Sequence, residues 1–252
     1  MRADFEVLFS PAEFAALKQR DLSDTICVVF DVLRATSTMV TALSRGAEAV
    51  VPVEDIPEAL AVRRQRPEVL LAGERLGVRI EASLTGSIDF DLGNSPREFT
   101  AERVQGRTIV MTTTNGTRAL RSCARAKTVL AGSFLNLRAT TEFIAGERPS
   151  PLLLICSGTY EQAAYEDALC AGAICDALWP DRPSGTIADS AEIARRLYLQ
   201  EQNDLLGAMS RSRNARRLLA RPELRDDVPF CVQRDLINFA AFLDKDSTVR
   251  RA

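Results

Sequence analysis

The sequence predicts a layered α/β/α fold, in which helices cover both faces of a largely parallel or mixed sheet, with a helical C-terminal third. Over the first 180 residues, short apolar runs alternate with helix-like patterns, as in proteins whose strands are joined by helices. The runs are apolar along their whole length, which is typical of strands buried on both faces. After residue 180 the apolar residues recur at helical spacing.

Seven apolar runs predict strands, and helical patterns fall between most of them. The strand candidates are FEVLF, TICVVF, EAVVPV, EVLLA, RTIVMT, TVLAGS and PLLLICS. The helix candidates are TSTMVTALSRG, IPEALAVRRQ, GTRALRSCARA, LRATTEFIAG and YEDALCAGAICDAL. The order strand, helix, strand repeats through this region and predicts the parallel connections of an α/β sheet.

The C-terminal third begins with a long helical stretch, DSAEIARRLYLQEQNDLLGAMSRSRNARRLLAR, whose charged residues predict a solvated face. The following DDVPFCVQRDLINFAAFLD fits neither a helix nor a strand clearly. A single globular unit over residues 1–252 would accommodate all these elements. If the chain forms two lobes, the loop GERPSP at residues 146–151 is the boundary that we expect.

The most informative feature of the composition is the absence of histidine from all 252 residues. It excludes Ser-His-Asp triads, Cys-His pairs and histidine-ligated zinc. Catalysis would have to use carboxylates, hydroxyls, cysteine, lysine or arginine. Carboxylate ligands without histidine favour a hard cation such as Mg²⁺ over zinc.

Charge and hydropathy restrict the partners. A formal net charge of −2 argues against a nucleic-acid-binding protein. No apolar run approaches the roughly 18 residues of a membrane span, and the N-terminal MRADFEVLFSPAEF lacks the apolar region of a signal peptide. Six scattered cysteines without a Cys-x-x-Cys pair predict buried thiols. We expect a cytoplasmic protein, whose helical C-terminal third would suit a homodimer interface.

Three strand candidates end in polar turns that open helices, at FDVLRATST, TTTNGT and CSGT. Because ligands bind beyond the carboxyl ends of parallel strands, we expect the three turns to share one sheet edge. Helix starts there favour an anion, although the hydroxyls could serve only as helix caps. Arg34 favours the anion site. The substrate-binding candidates, including the Asn-Ser-Pro turn, are Thr36, Ser37, Asn94, Ser95, Thr113, Thr114, Asn115, Gly116, Cys156, Ser157 and Gly158.

Carboxylates adjoin the same predicted turns. Asp31 follows three apolar residues, and an ionised carboxylate near a core needs a partner such as Mg²⁺ or Arg34. Glu74 follows an apolar run, but it could simply pair with the adjacent Arg75. The other acids of interest are Asp91, before the Asn-Ser-Pro turn, and Glu166 and Asp167, in a first helical turn where acids also occur as plain electrostatic complements of the helix.

Several known phosphate-handling motifs are missing. The sequence has neither the Gly-x-x-x-x-Gly-Lys-Ser/Thr phosphate loop nor Gly-x-Gly-x-x-Gly. A haloacid-dehalogenase-type phosphatase needs Asp-x-Asp after its first strand, whereas Leu33 stands at the second position. A cysteine phosphatase needs Cys-x5-Arg, whereas Gln162 stands at that distance from Cys156. The anion site that the turns predict is therefore of another type.

Four blocks resemble the 2-phosphosulfolactate phosphatase family. They are FDVLRATST, GERLG followed by FDLGNSP, MTTTNGTRAL, and CSGT followed by YEDALCAGAI. The C-terminal DSAEIARRLY and DDVPFCVQRD are similar to the family as well, so the resemblance covers nearly the whole chain in family order.

The resemblance implies a Mg²⁺-dependent phosphoric monoester hydrolase with an α/β fold. The family converts 2-phospho-3-sulfolactate into 3-sulfolactate and inorganic phosphate, a step of coenzyme M biosynthesis in methanogens. The implied partner is thus a small anionic phosphoester. Its phosphate, carboxylate and sulfonate suit a site with several hydroxyl-rich helix starts and an arginine.

From this resemblance and the residues, we assign roles as hypotheses. The catalytic candidates are Asp31, Arg34 and Glu74, with Arg34 gripping phosphate or sulfonate. The metal-ligand candidates are Asp31, Glu74, Asp91, Glu166 and Asp167. Two mechanisms stay open, namely direct attack of water and phosphorylation of Asp31. A Cys156 nucleophile is disfavoured because the motif lacks its arginine.

The chain departs from the family pattern beside the expected site. A longer stretch, VRIEASLTGSID, separates GERLG from FDLGNSP, and Asp89 stands where a glycine is expected. YEQAAYED after CSGT also lacks a common glycine. Two other functions therefore remain: a phosphatase of another small 2-phospho acid or sugar phosphate, and a non-catalytic protein that binds phosphate or sulfonate.

Overall fold

The computed structural model describes residues 4–147, 151–182 and 184–252. Within these ranges the chain forms one mixed ten-stranded sheet with helices on both faces and a largely helical C-terminal part. The predicted α/β class, mixed sheet and helical C-terminal third are confirmed. Half of the predicted lobe boundary at residues 146–151, namely residues 148–150, lies outside the described ranges, and the single-unit organisation stays a prediction.

Every strand and helix candidate from the sequence is present, with ends that differ by a few residues at most. The strands are β1 (Phe5–Leu8), β2 (Ile26–Phe30), β3 (Ala49–Pro52), β4 (Leu70–Arg75), β5 (Val78–Arg79), β6 (Thr108–Thr112), β7 (Thr128–Gly132), β8 (Leu152–Cys156), β9 (Ala241–Leu243) and β10 (Val249–Arg251). The α-helices are α1 (Phe14–Leu17), α2 (Ala35–Ser44), α3 (Ile56–Gln65), α4 (Ala82–Thr85), α5 (Ala101–Val104), α6 (Gly116–Ser122), α7 (Leu137–Gly146), α8 (Tyr165–Leu178), α9 (Asp189–Glu201), α10 (Leu205–Ser210), α11 (Arg213–Leu219) and α12 (Asp227–Cys231).

The strand order is β1-β8-β2-β7-β9-β10-β3-β6-β4-β5. β1, β8, β2 and β7 are parallel to one another, and so are β3, β6 and β4. The short hairpin β9–β10 lies between these groups with antiparallel pairing on both sides, so the two groups run in opposite directions. The expectation of one shared edge for the three polar turns holds for β2 and β8 and is wrong for β6.

Twist and helix packing bring the turn after β6 back to the turn after β2. Neighbouring strands rotate by about 20–25°, and five such steps separate β2 from β6. Strands five steps apart in a twisted sheet are therefore strongly rotated relative to each other. α6 also packs directly against α2 and β2. The polar turns therefore meet through helix packing across one face of the sheet.

β2 illustrates the layers on either side of the sheet. Cys27 and Val29 pack with α2 and α6, whereas Ile26, Val28 and Phe30 pack with α7, α8 and α9. Alternate side chains of a strand point to opposite faces, so a fully apolar strand needs a helix layer on each side. The six cysteines are buried and free, as predicted. Among the described residues, no helix combines the length and the apolar character needed to cross a membrane.

Candidate active site

A polar cleft lies where the turns after β2, β4 and β6 meet α11. Six predicted site residues line it: Asp31, Arg34, Glu74, Asn94, Thr114 and Asn115. The polar lining residues that the sequence did not predict are Thr159, Tyr160, Asn214, Arg217 and Arg221. The cleft therefore joins the N-terminal polar turns to the C-terminal helices.

Asp31 is a buried carboxylate at the end of β2. Its Oδ1 accepts a hydrogen bond of 3.2 Å from the Ala35 backbone N–H. Burial raises its pKa from 3.8 to about 7; the Ala35 N–H opposes the shift, and nearby Glu74 and Glu166 add to it. An aspartate with this pKa is present in both protonation states near neutral pH. It is therefore suited to exchanging a proton with a ligand.

The start of α6 lies against Asp31 because residue 116 is glycine. A Cβ atom at Gly116 would stand 2.6 Å from Asp31 Oδ2 and 2.7 Å from the Ala35 Cβ. A Cβ atom does not stand this close to another heavy atom, so one of the two elements would have to move. Gly116 thus lets the turn after β6 approach the turn after β2.

Glu74, at the end of β4, is a fixed acceptor. Its Oε1 accepts hydrogen bonds of 2.9 Å from both the backbone N–H and the hydroxyl of Thr114. Its Oε2 accepts one of 2.7 Å from the Gly77 backbone N–H. The Arg75 guanidinium points elsewhere, to Thr112 and the Glu74 backbone carbonyl. Glu74 is therefore not simply the ion-pair partner of Arg75.

Arg34 is buried and already paired. It donates a hydrogen bond of 2.6 Å to Asp227 Oδ2, at the start of α12, and one of 2.7 Å to the Gly77 carbonyl. The Ser95 hydroxyl donates to the other oxygen of Asp227 at 2.6 Å. Asp227, not Asp31, is thus the anionic partner of Arg34. The sequence analysis did not single out Asp227, although the block DDVPFCVQRD that contains it was part of the family resemblance.

Asp167 and Glu166, at the start of α8, lie behind the cleft. Asp167 accepts hydrogen bonds from the Val32 N–H at 2.8 Å and from the Ser157 hydroxyl and Gly158 N–H at 3.2 Å each. Burial, then Glu166 and Asp31, raise the pKa of Asp167 well above its usual value. Burial also raises the pKa of Glu166. These acids form a buried layer of repelling carboxylates next to Asp31.

Asn94 has an unpartnered atom at the cleft. Its Oδ1 is buried and accepts no hydrogen bond, whereas its backbone carbonyl accepts one of 2.8 Å from the Thr38 hydroxyl. A buried amide oxygen without a partner costs about 1–3 kcal/mol. Such an atom at a cleft wall is a ready ligand for a bound cation or donor.

The hydroxyls of Thr36 and Ser37 brace the chain rather than face the cleft. They donate to the carbonyls of Asp31 and Val32 at 3.0 and 2.9 Å. The Thr113 hydroxyl accepts a hydrogen bond of 3.3 Å from the Thr117 backbone N–H, and the Thr117 hydroxyl accepts one of 3.3 Å from the Thr113 backbone N–H. The hydroxyls of these predicted substrate-binding residues are thus hydrogen-bonded to nearby backbone groups.

Four other predicted residues also lie away from the cleft. Cys156 packs in the apolar layer with α8, and burial raises its thiol pKa well above the usual value, which disfavours a thiolate nucleophile. Ser157 and Gly158 bind Asp167, and Gly158 has a positive φ of 65°. Asp91 pairs with Arg63 and accepts the Leu71 N–H at 2.7 Å, so its carboxylate faces the first half of β4. It does not meet the other acids.

Oxygen atoms suited to a hard cation line the cleft. Asp31, Glu74 and the unpartnered Asn94 Oδ1 are donors of the type that Mg²⁺ prefers. In the described ranges no three Asp, Glu or Cys side chains are already arranged as a metal centre. The residues fit a cation held by two carboxylates, one amide oxygen and waters, which is the usual partial coordination of Mg²⁺ by protein.

Residues 78–89, the stretch expected from the sequence to depart from the family pattern, contain β5 and α4 and follow Gly77. Asp89, at the position where a glycine was expected, accepts a hydrogen bond of 2.7 Å from the Ala82 N–H. Ile80 anchors the stretch because its side chain is buried. Asp89 thus has a structural role within the insertion and does not line the cleft.

The comparisons with known proteins agree with this architecture. The profile of the family described as 2-phosphosulpholactate phosphatase matches residues 13–246. A protein of Caldicellulosiruptor saccharolyticus is 39% identical, covering 86% of this chain and 88% of its own length. One of Pseudothermotoga lettingae is 39% identical over 90% and 93%, and one of Caldanaerobacter subterraneus is 37% identical over 94% and 95%. All three are named probable 2-phosphosulfolactate phosphatase. The chain belongs to the 2-phosphosulfolactate phosphatase family.

Proposed function

We propose that this chain is a Mg²⁺-dependent phosphatase that hydrolyses 2-phospho-3-sulfolactate to 3-sulfolactate and inorganic phosphate. Its family consists of phosphoric monoester hydrolases, which act on small phosphoesters. The observation that carries the proposal is the cleft itself, in which Asp31, Glu74 and the unpartnered Asn94 Oδ1 stand beside Arg34. Oxygen ligands next to fixed donors are what phosphoryl transfer requires.

In this proposal Asp31, Glu74 and Asn94 Oδ1 hold the Mg²⁺ ion. When bound, the ion supplies charge stabilisation to the phosphate and makes water more acidic. Glu74 is the fixed anchor of this arrangement, because three N–H or O–H donors hold its carboxylate in place. Thr114 also fixes its orientation, so the ligand oxygen needs little reorganisation.

Asp31 is the proton acceptor in the direct mechanism. With a pKa of about 7, its carboxylate can accept the proton of the attacking water near neutral pH. The start of α6 lies directly against its Oδ2. In the alternative mechanism, the Asp31 carboxylate attacks phosphorus, the ester P–O bond breaks to release the sulfolactate alcohol, and water then hydrolyses the aspartyl phosphate to inorganic phosphate. Reduction with borohydride during turnover would trap that acyl phosphate at Asp31.

Arg34 and the turn after β6 bind the phosphate oxygens. A guanidinium has five N–H donors, and Arg34 spends one each on Asp227 and the Gly77 carbonyl. The remaining N–H donors of the guanidinium can stabilise the negative charge on the phosphoryl group as it is transferred. Thr114 and Asn115 line the same cleft.

The test is phosphate release from 2-phosphosulfolactate with Mg²⁺ and with EDTA, for the wild type and Asp31→Asn. We expect release that depends on Mg²⁺ and falls by at least about 100-fold in the variant, as for removal of a general base. Asp246→Asn, an exposed residue in the turn before β10, is the matched control. Failure of the wild type to release phosphate would refute the proposal.

A second candidate is hydrolysis of another small 2-phospho acid or sugar phosphate. The observation that favours it is the inserted segment 78–89, which adjoins Gly77, a direct partner of Arg34. 2-Phosphoglycerate and glucose 6-phosphate in the same assay separate the candidates by their kcat/KM. Binding of sulfolactate without release from any ester would instead indicate a non-catalytic anion-binding protein.

A further inference from the structure

The charged side chains of the cleft come from two walls that different parts of the chain form. The ends of β2 and β4 form one wall and contribute Asp31 and Glu74, and Arg34 there is paired with Asp227 at 2.6 Å. The other wall comes from α11 and the turn after it, which contribute Arg217 and Arg221. A small ligand in this cleft would therefore meet both carboxylates and arginines.

Arg221 has no anionic partner. It is half-buried, and it makes no ion pair or side-chain hydrogen bond with any residue in the described ranges. Most arginines that line a protein wall are paired, because a partly buried guanidinium loses hydration without compensation. An uncompensated guanidinium that borders a cleft is a binding group for an anion from solution.

Arg217 is held at the cleft without being neutralised. It donates a hydrogen bond of 3.2 Å to the Tyr160 hydroxyl, and its guanidinium lies 4.9 Å from the centre of that ring. A tyrosine orients the guanidinium through these contacts but leaves its full charge available. Arg213 on the same helix differs, because it donates to Gln162 and the Thr159 carbonyl and does not line the cleft.

We propose that Arg217 and Arg221 form a subsite for a second acidic group of the substrate, a carboxylate or a sulfonate. The two like charges line one cleft and disfavour each other until an anion neutralises them. Two guanidinium forks suit the oxygens of either acid. This subsite rests on the proposed function only in that the phosphate occupies the wall of Asp31 and Glu74. The protein would accordingly select phosphoesters that carry a further acidic group.

The test is calorimetric binding of 3-sulfolactate to the full-length Mg²⁺-loaded protein, which requires no turnover. The variants are Arg217→Gln and Arg221→Gln, and the matched control is Arg216→Gln, an exposed arginine of α11 outside the cleft. We expect the Kd to rise by at least about tenfold in each cleft variant, the loss of one charge-assisted hydrogen bond. The control should bind as the wild type does. Lactate and isethionate, each bearing one of the two acids, identify which acid the arginines bind.

Steady-state kinetics give a second readout. Both cleft variants should raise the KM for 2-phosphosulfolactate far more than the KM for glycerol 2-phosphate, since the second ester has no further acid. Wild-type affinity for sulfolactate in both variants, or no binding by the wild type, would overturn the subsite. Arginine-dependent binding without phosphate release from any ester would refute the phosphatase and leave the subsite standing. Phosphate release together with sulfolactate binding that neither variant weakens would support the phosphatase and refute the subsite.

Discussion

Asp31 is a carboxylate in a buried position, which is unfavourable for folding but suits a group that must react with a ligand. Burial raises the pKa values of Asp31, Glu166 and Asp167; the charge of Glu166 adds to the shift at both aspartates, and that of Asp31 adds to it at Asp167. Repelling buried carboxylates lower the stability of the folded state. A cation bound at Asp31 would remove part of that repulsion, so we expect the metal-free protein to be the less stable form.

This repulsion predicts that Asp31→Asn stabilises the metal-free protein. The folded-state pKa of about 7 exceeds the value of 3.8 without burial, so the folded state binds the proton more tightly. Wild-type stability therefore falls as pH rises from about 4 to about 7, by roughly 4 kcal/mol at most. The gain from asparagine should be small at pH 4 and complete at pH 8.

Urea unfolding in EDTA, followed by circular dichroism at both pH values, measures this gain. Asp246→Asn should change stability little at either pH, because its carboxylate is exposed. Equal gains for Asp31→Asn at both pH values would contradict the raised pKa. Added Mg²⁺ should stabilise the wild type and not the variant if Asp31 is a ligand.

At the scale of elements, local pattern predicted the strand–turn–helix units but not how their side chains are used. β2–α2, β6–α6 and β8–α8 are all where the sequence places them. Thr36 and Ser37 looked like substrate ligands, yet their hydroxyls bind carbonyls of the preceding turn. A hydroxyl at a helix start has several acceptors within reach, and only three-dimensional placement decides among them.

The approach of α6 to α2 depends on Gly116, and Gly116→Ala tests it. The added methyl group would lie 2.6 Å from Asp31 Oδ2, so α6 or the turn after β2 must move. We expect phosphate release to fall by at least about tenfold and stability to drop by about 1–3 kcal/mol, as for overpacking.

Gly146→Ala, at the end of α7, is the matched control because nothing lies within 4 Å of the new methyl group. It should keep wild-type activity. Full activity in Gly116→Ala would show that the site tolerates separation of α6 from Asp31. Measuring kcat and the urea midpoint on the same samples separates a displaced site from an unfolded one.

At the scale of the whole molecule, the cleft needs contacts that local pattern cannot reveal. The hairpin β9–β10, with three residues in each strand, reverses the direction of half the sheet. Strands this short carry too little periodicity to be predicted. The C-terminal helices looked like a solvated surface, yet α11, the turn after it and α12 supply Arg217, Arg221 and Asp227. The family resemblance pointed to the phosphatase family, but geometry was needed to find these residues.

Asp227 ties the C-terminal helices to the first polar turn, and its removal should uncouple them. Asp227→Asn leaves the buried Arg34 charge without its partner at 2.6 Å, which typically costs about 3–5 kcal/mol. The freed guanidinium should also lose its fixed orientation, because Ser95 no longer aligns an ionised partner for it. We expect reduced stability together with reduced kcat. Asp226→Asn is the neighbouring control, since that carboxylate is exposed and its ion pair with Arg97, at 3.6 Å, is long and also exposed.

A double variant separates the two effects. Arg34→Met with Asp227→Asn removes both charges, so it should regain much of the stability that Asp227→Asn loses. Activity should stay low, because no guanidinium remains to bind the phosphate. Recovery of activity together with stability would mean that Arg34 serves only the fold. Loss of activity in a restored fold would place the Arg34–Asp227 pair in the binding of substrate, with the C-terminal helices acting through Asp227 on a turn almost 200 residues earlier in the chain.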